Sequence, residues 1–153
     1  MYECSRLSHL LATGFGAGLS PKAPGTVGTV VAVVLYLPLS YLPVSIYLTV
    51  VLLGFVFGCY LCGQVADDIG HKDHPGIVWD EIIGFWLAMS ATPSPSALSI
   101  TVVFILFRFF DIVKPFPIRL VDTRCTGGFG IMIDDILAAL YTMMCVWAFQ
   151  AIA

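Results

Sequence analysis

The sequence predicts an all-α integral membrane protein: one domain over residues 1–153, built from about five apolar helices, some of them short or re-entrant, with one charged face. Three observations lead there. Hydrophobic residues make up 59% of the chain and charged residues only 11%, with a mean hydropathy of +0.95, whereas soluble domains carry roughly 25% charge. Apolar segments recur along the chain, separated by turns rich in Pro, Gly and Ser. The charges are also sorted by side. If five segments cross a bilayer, the loops 38–43 and 92–97 and the C-terminal tail share one side and carry no Lys, Arg, Asp or Glu. All seven basic and all ten acidic residues fall on the other side. A soluble bundle needs charge on every exposed surface, and loops enriched in Lys and Arg face the cytoplasm, so the charged face is expected at the cytoplasmic interface of a multi-pass membrane protein.

From the N-terminus, residues 2–13 form a short amphipathic candidate, and the apolar segment after Arg6 is too short and interrupted for a cleavable signal. Three glycines and two prolines from Gly14 to Pro24 forbid a continuous helix there. Residues 26–37 are apolar, PLSYLP at 38–43 is an uncharged turn, and residues 44–63 approach the ~20 residues a crossing needs. The polar loop QVADDIGHKDHPG precedes the shorter apolar segment 77–91, which carries Asp80 and Glu81 near its start. TPSPSA leads to residues 98–113, and residues 131–153 close the chain. The segments 26–42 and 77–91 are short for full crossings and are expected to thin the bilayer or to lie partly re-entrant. The five cysteines include Cys59 and Cys62 as C-Y-L-C inside an apolar run, with no second pair for a zinc site, so they are expected as buried thiols.

The densest chemistry lies between Arg108 and Asp135, which hold four of the seven basic and four of the ten acidic residues. An unpaired ion against apolar flanks is costly, so these groups need partners, a metal or water. Two acidic pairs, Asp80-Glu81 and Asp134-Asp135, are each expected to open an apolar helix, the second directly after a Gly-Gly-Phe-Gly turn. Helix dipoles favour carboxylates at such starts. Two pairs at one depth would nonetheless repel without a cation, and hard oxygen ligands suit magnesium or manganese better than zinc. His71 and His74 sit in the polar loop and are expected to be solvated.

The basic residues point to an anion. Lys22 lies in the Gly/Pro loop, where backbone N–H groups and a cation can cradle a phosphate. It is no Walker A lysine, lacking Gly before it and Ser or Thr after. Arg108, Lys114 and Arg119 bracket FDIVKPFPI, whose prolines fix an extended turn. Metal, Arg and Lys around one anion equip a site for phosphoryl transfer. Signatures of other phosphoryl-transfer enzymes are absent: Cys125 has no Arg six residues on, no D-x-D occurs, and the spaced aspartates of CDP-alcohol transferases are missing. No basic patch interleaved with aromatics suggests nucleic acid.

Three blocks, GFGAGLSPKAPGTVGT, IVWDEIIGFWLAM, and FRFFDIVKPFPIRLVD with GGFGIMIDDILAALY, closely resemble the phosphatidylglycerophosphatase A family, in the family's order and from about Leu11 to Tyr141. The resemblance implies a bacterial, magnesium-dependent phosphatase of the inner membrane that converts phosphatidylglycerophosphate to phosphatidylglycerol and phosphate. By that resemblance Asp80, Glu81, Asp134 and Asp135 match the acidic motif positions and are expected to hold one or two magnesium ions. Asp111 and Asp122 join them as expected catalytic residues, and Lys22, Arg108, Lys114 and Arg119 as expected phosphate-binding residues. The rival reading from another class is an ion-coupled membrane transporter, because intramembrane carboxylates also mark ion pathways. Against it, the charges crowd one face and no pair of broken helices repeats in two halves. A structural membrane subunit would not need ten acids and seven bases on one side.

Overall fold

The computed structural model describes residues 7–71, 74–92 and 95–152, which are all-helical with no strand among them. Cys4, the first part of the N-terminal amphipathic segment, Lys72 and Asp73 lie outside the described residues. Seven α-helices succeed one another: α1 Leu7–Ala12, α2 Pro24–Leu39, α3 Val44–Ile69, α4 Trp79–Met89, α5 Ala97–Val113, α6 Ile118–Arg124 and α7 Gly127–Ile152, with a 3₁₀ turn at Ala17–Leu19.

Local chemistry sets most of the boundaries. Pro24 opens α2, where a missing N–H costs nothing and its φ is already helical. Ser96 and Ser99 cap α5 reciprocally. Gly70, at φ 74°, ends α3 in the left-handed region and donates to Ala66 O and Asp67 O.

Pro38 and Leu39, expected in a turn, extend α2, and two further boundaries depart more from the sequence expectation. α3 continues past Gly63 through Gln64, Asp67 and Asp68 to Ile69, because its polarity changes there while its stop signal, Gly70, comes later. The Gly-Gly-Phe-Gly stretch, expected as a turn, is instead the first turn of α7. A Cβ on Gly128 would lie 1.7 Å from Cys59 O, and one on Gly63 would lie 3.2 Å from Gly128 N. These glycines therefore serve close backbone packing of α7 on α3. As a result Asp134 and Asp135 sit about two turns inside α7 and do not open it.

The core is organised around α4. Its Ile82, Ile83, Gly84, Phe85, Trp86, Ala88 and Met89 are buried, and α2, α3, α5 and α7 all pack against it. A helix apolar all round belongs inside a bundle, and at 11 residues it is only about 16 Å long, half a bilayer core. α3 and α7, 26 residues each, are the described helices long and apolar enough to cross a membrane. α3 leaves Leu48, Leu52, Leu53, Val56, Phe57 and Tyr60 exposed, and α7 leaves Leu140, Met144, Trp147 and Phe149 exposed.

Buried polar tips are satisfied by backbone carbonyls. Trp79 Nε1 donates to Gly54 O at 3.1 Å, Trp86 Nε1 to Ala32 O at 3.0 Å, and Tyr47 OH to Trp86 O at 2.5 Å. Cys62 is buried with its thiol 3.9 Å from Met132 Sδ, and Cys59 beside it is a free, part-buried thiol. The starts of α2, α4 and α7 and the ends of α3 and α5 meet at one end of the bundle. There Val78 N donates to Ala12 O at 2.8 Å, and Gly25 lies against Glu81 and Arg108.

Candidate functional site

That end of the bundle gathers carboxylates from three helices. α4 supplies Asp80 and Glu81 in its first turn, α5 supplies Arg108 and Asp111 three residues apart on one face, and α7 supplies Asp134 and Asp135. They come together as two overlapping sets, Asp80/Glu81/Asp135 and Asp111/Asp134/Asp135. Within each set one oxygen per residue lies no more than 4.8 Å from the others. Asp134 and Asp135 are buried, Asp135 being only 2% exposed. The helix dipole accounts for Asp80 and Glu81, but its effect fades within the first turn and cannot account for carboxylates two turns into α7.

Two cations serve this cluster. Arg108 Nη1 lies 2.5 Å from Asp111 Oδ2 and 3.7 Å from Glu81 Oε1. Lys114 ends α5 in the left-handed region (φ 44°), and this turn lets Nζ donate to both Asp134 Oδ2 at 2.7 Å and Asp122 Oδ1 on α6 at 2.9 Å. Burial alone would lower the Lys114 pKa, but the two carboxylates outweigh it and hold the ammonium above the usual lysine range.

Those pairings leave a pattern of orphans. Among the described residues, Asp80 Oδ1, Glu81 Oε2, Asp134 Oδ1 and both oxygens of Asp135 are buried without a hydrogen-bond partner. Unsatisfied buried acceptors of this kind are costly, and a hard cation is the partner their chemistry fits. A cleft of about 360 Å³ opens beside them, lined by Gly25, Asp80, Glu81, Arg108, Asp111, Lys114 and Asp134. A second hollow of about 320 Å³, lined by Asp122, Thr126, Gly130 and Asp134, adjoins it through Asp134.

Of the ten residues singled out from the sequence, eight meet here: Asp80, Glu81, Arg108, Asp111, Lys114, Asp122, Asp134 and Asp135. Lys22 is exposed one residue ahead of Ala23, which lines the cleft. Arg119 is exposed on α6 and lines a separate surface hollow with Lys114 and Phe116. Gly25 was not singled out, yet a Cβ there would lie 2.2 Å from Glu81 Oε1 and 3.0 Å from Arg108 Nη2. Its signal in the sequence is a glycine directly after the helix-opening Pro24, in a helix whose next buried residues, Gly28, Thr29 and Ala32, are also small.

Residues 10–150 match the model of a family described as Phosphatidylglycerophosphatase A. The chain is similar to the phosphatidylglycerophosphatase A of Haemophilus influenzae, with 51% identity over 146 residues, 93% of this chain and 88% of that one. It is 48% identical over 132 residues to the phosphatidylglycerophosphatase A of Escherichia coli, 86% of this chain and 77% of that one. A Bacteroides thetaiotaomicron protein named putative phosphatidylinositol-3-phosphatase is 35% identical over 150 residues, 94% of each chain. No solved structure matches the chain.

Proposed function

Because the chain belongs to the phosphatidylglycerophosphatase A family, we propose that it removes the terminal phosphate of phosphatidylglycerophosphate to give phosphatidylglycerol, with magnesium held by Asp80, Glu81, Asp134 and Asp135. The observation that carries this reading is the set of buried, orphaned carboxylate oxygens beside a cleft that also presents Arg108 and Lys114. Phosphoryl transfer asks mainly for positioning and charge neutralisation, and the cleft supplies both. Magnesium, when bound, would polarise the phosphoryl oxygens and acidify a water.

The chain's own residues do the rest. Arg108 and Lys114 present positive charge to the phosphoryl group, and Asp122 positions Lys114 from α6. Lys22 and Arg119, both exposed, meet the charged lipid headgroup outside the cleft. The water oxygen bonds to phosphorus as the bond from phosphorus to the glycerol oxygen breaks. The water's proton passes to a carboxylate of the cluster, and the departing alkoxide takes up a proton to become the glycerol hydroxyl.

The same reading places the chain in the bacterial inner membrane as a bundle of about five apolar helices. α3 and α7 span it, with α2 and α5 beside them and α4 enclosed. The exposed apolar side chains of α3 and α7 then face lipid. The charged end lies at the cytoplasmic interface, where the acyl chains stay in the leaflet while the headgroup enters the cleft.

The test is phosphate release from phosphatidylglycerophosphate in mixed micelles by the purified full-length protein, titrated with magnesium. Release that saturates with magnesium and stops with a chelator is expected. No release at any magnesium concentration overturns the reading. Ion flux through the protein in vesicles, without phosphate release, would favour the transporter instead.

A further inference from the structure

We propose that the carboxylate cluster is built for two divalent cations sharing Asp135, one seated by Asp80 and Glu81 and the other by Asp111 and Asp134. This rests on the proposed binding of magnesium in the cleft, and it adds Asp111 as a ligand and Asp135 as the bridge. Both sets of oxygens contain Asp135 and each is confined within 4.8 Å. Oxygens around one magnesium at about 2.1 Å lie up to about 4.2 Å apart, so each set is one cation wide after a small contraction.

The orphaned atoms single out the shared residue. Arg108 and Lys114 occupy one oxygen each of Glu81, Asp111 and Asp134, and Glu81 Oε2 and Asp134 Oδ1 remain without partners. Among the described residues no cation pairs with Asp135, and both of its carboxylate oxygens are buried and unpartnered. A carboxylate serving a single ion through one oxygen would leave the other orphaned at 2% exposure.

Charge leads to the same number. Six carboxylates, Asp80, Glu81, Asp111, Asp122, Asp134 and Asp135, meet two cations, Arg108 and Lys114, which leaves four negative charges in the ionised cluster. One divalent ion leaves it negative, and a phosphate monoester dianion would be repelled. Two bring it to neutrality and remove that repulsion.

Manganese alone, bound to the detergent-purified full-length protein, reads this directly through equilibrium binding and low-temperature electron paramagnetic resonance. Two manganese ions per chain with an exchange-coupled spectrum are expected. Asp111→Asn should retain one ion with an uncoupled six-line spectrum, and Asp80→Asn should lose the other ion in the same way. Asp135→Asn should abolish the coupling and weaken manganese binding at least tenfold. Wild type saturating at one ion, two ions without coupling, or two coupled ions retained in Asp111→Asn each overturns the proposal. Asp80→Asn and Asp111→Asn remove different ions, so the unfolding of either, checked by its metal-free melting temperature, leaves the other to decide. Phosphate release is measured separately. Two coupled ions without phosphate release sink the phosphatase reading and leave this one standing, while one ion with full release does the reverse.

Discussion

Gly25→Ala separates the site from the scaffold that carries it. The new Cβ would lie 2.2 Å from Glu81 Oε1 and 3.0 Å from Arg108 Nη2. Ordinary contact begins at 3.4 Å, so the Glu81 carboxylate must retreat by roughly 1.2 Å. The obstructing atoms are the ends of flexible side chains, and the backbone of α2 need not move. Alanine is favoured over glycine within a helix by about 0.5–1 kcal/mol, so folding should be unaffected or slightly improved. Turnover should not be. A displacement near 1 Å in a positioned group can cost about 10²-fold in rate, and a shifted Glu81 should also raise the magnesium needed for half-maximal activity. The assay is phosphate release against magnesium for wild type and Gly25→Ala, with melting temperature recorded for both. Gly28→Ala is the contrast: its Cβ would meet Val78 Cβ at 2.6 Å, a branched and buried neighbour, so it should lower the melting temperature. Full turnover and unchanged magnesium dependence in Gly25→Ala would refute the claim that Glu81 is held in place by the missing side chain.

Lys114→Met should cost about 1.5–3 kcal/mol of stability by stripping the charged hydrogen bonds from Asp134 and Asp122. Asp122→Asn should cost less, because Lys114 keeps Asp134; chemical denaturation of the two variants checks the order. Lys22→Ala and Arg119→Ala should raise KM for the lipid severalfold with little change in kcat, since exposed cations near an anionic surface contribute about 1 kcal/mol each; kinetics in mixed micelles of fixed lipid fraction check this. Cysteines placed at Ser40 and Ser96, on a background without the native cysteines, should react with an impermeant thiol reagent in intact cells. Labelling of both only after lysis would contradict the five-span arrangement.

The sequence made the apolar segments legible because helix-length hydropathy and proline-rich turns survive any packing: residues 44–63 and 98–113 fall within α3 and α5. Boundaries were less legible where polarity and helicity part company. Gln64, Asp67 and Asp68 read as loop, yet the helix stops only where Gly70 supplies a left-handed residue. Gly127 to Gly130 read as a turn because glycine breaks isolated helices, but its use here, close approach to the α3 backbone, is a tertiary fact. The carboxylates themselves were visible as dense charge beside apolar runs. Their grouping was not: Asp111 and Asp135 are 24 positions apart, and only the register of α5 and α7 across α4 decides that they share a neighbourhood. Lys22 and Arg119 looked equivalent to Arg108 and Lys114 by charge alone. Exposure distinguishes them, and exposure depends on the folded bundle.

The enclosure of α4 bears on how such an enzyme tolerates its surroundings. Spanning helices respond to a thicker or thinner bilayer by tilting, because their apolar length must match the hydrocarbon. α4 is walled off by α2, α3, α5 and α7, so no such matching acts on it, and Asp80 and Glu81 at its start take their height from protein contacts alone. Trp86 is tied to Ala32 O, and Tyr47 is tied to Trp86 O, which further anchors α4 to its neighbours. In the proposed membrane arrangement α7 leans with the bilayer and carries Asp134 and Asp135 with it, while Asp80 and Glu81 stay with α4. The packing of α7 on α4 is therefore what must hold the two acidic pairs at a fixed spacing when lipid composition or growth temperature changes.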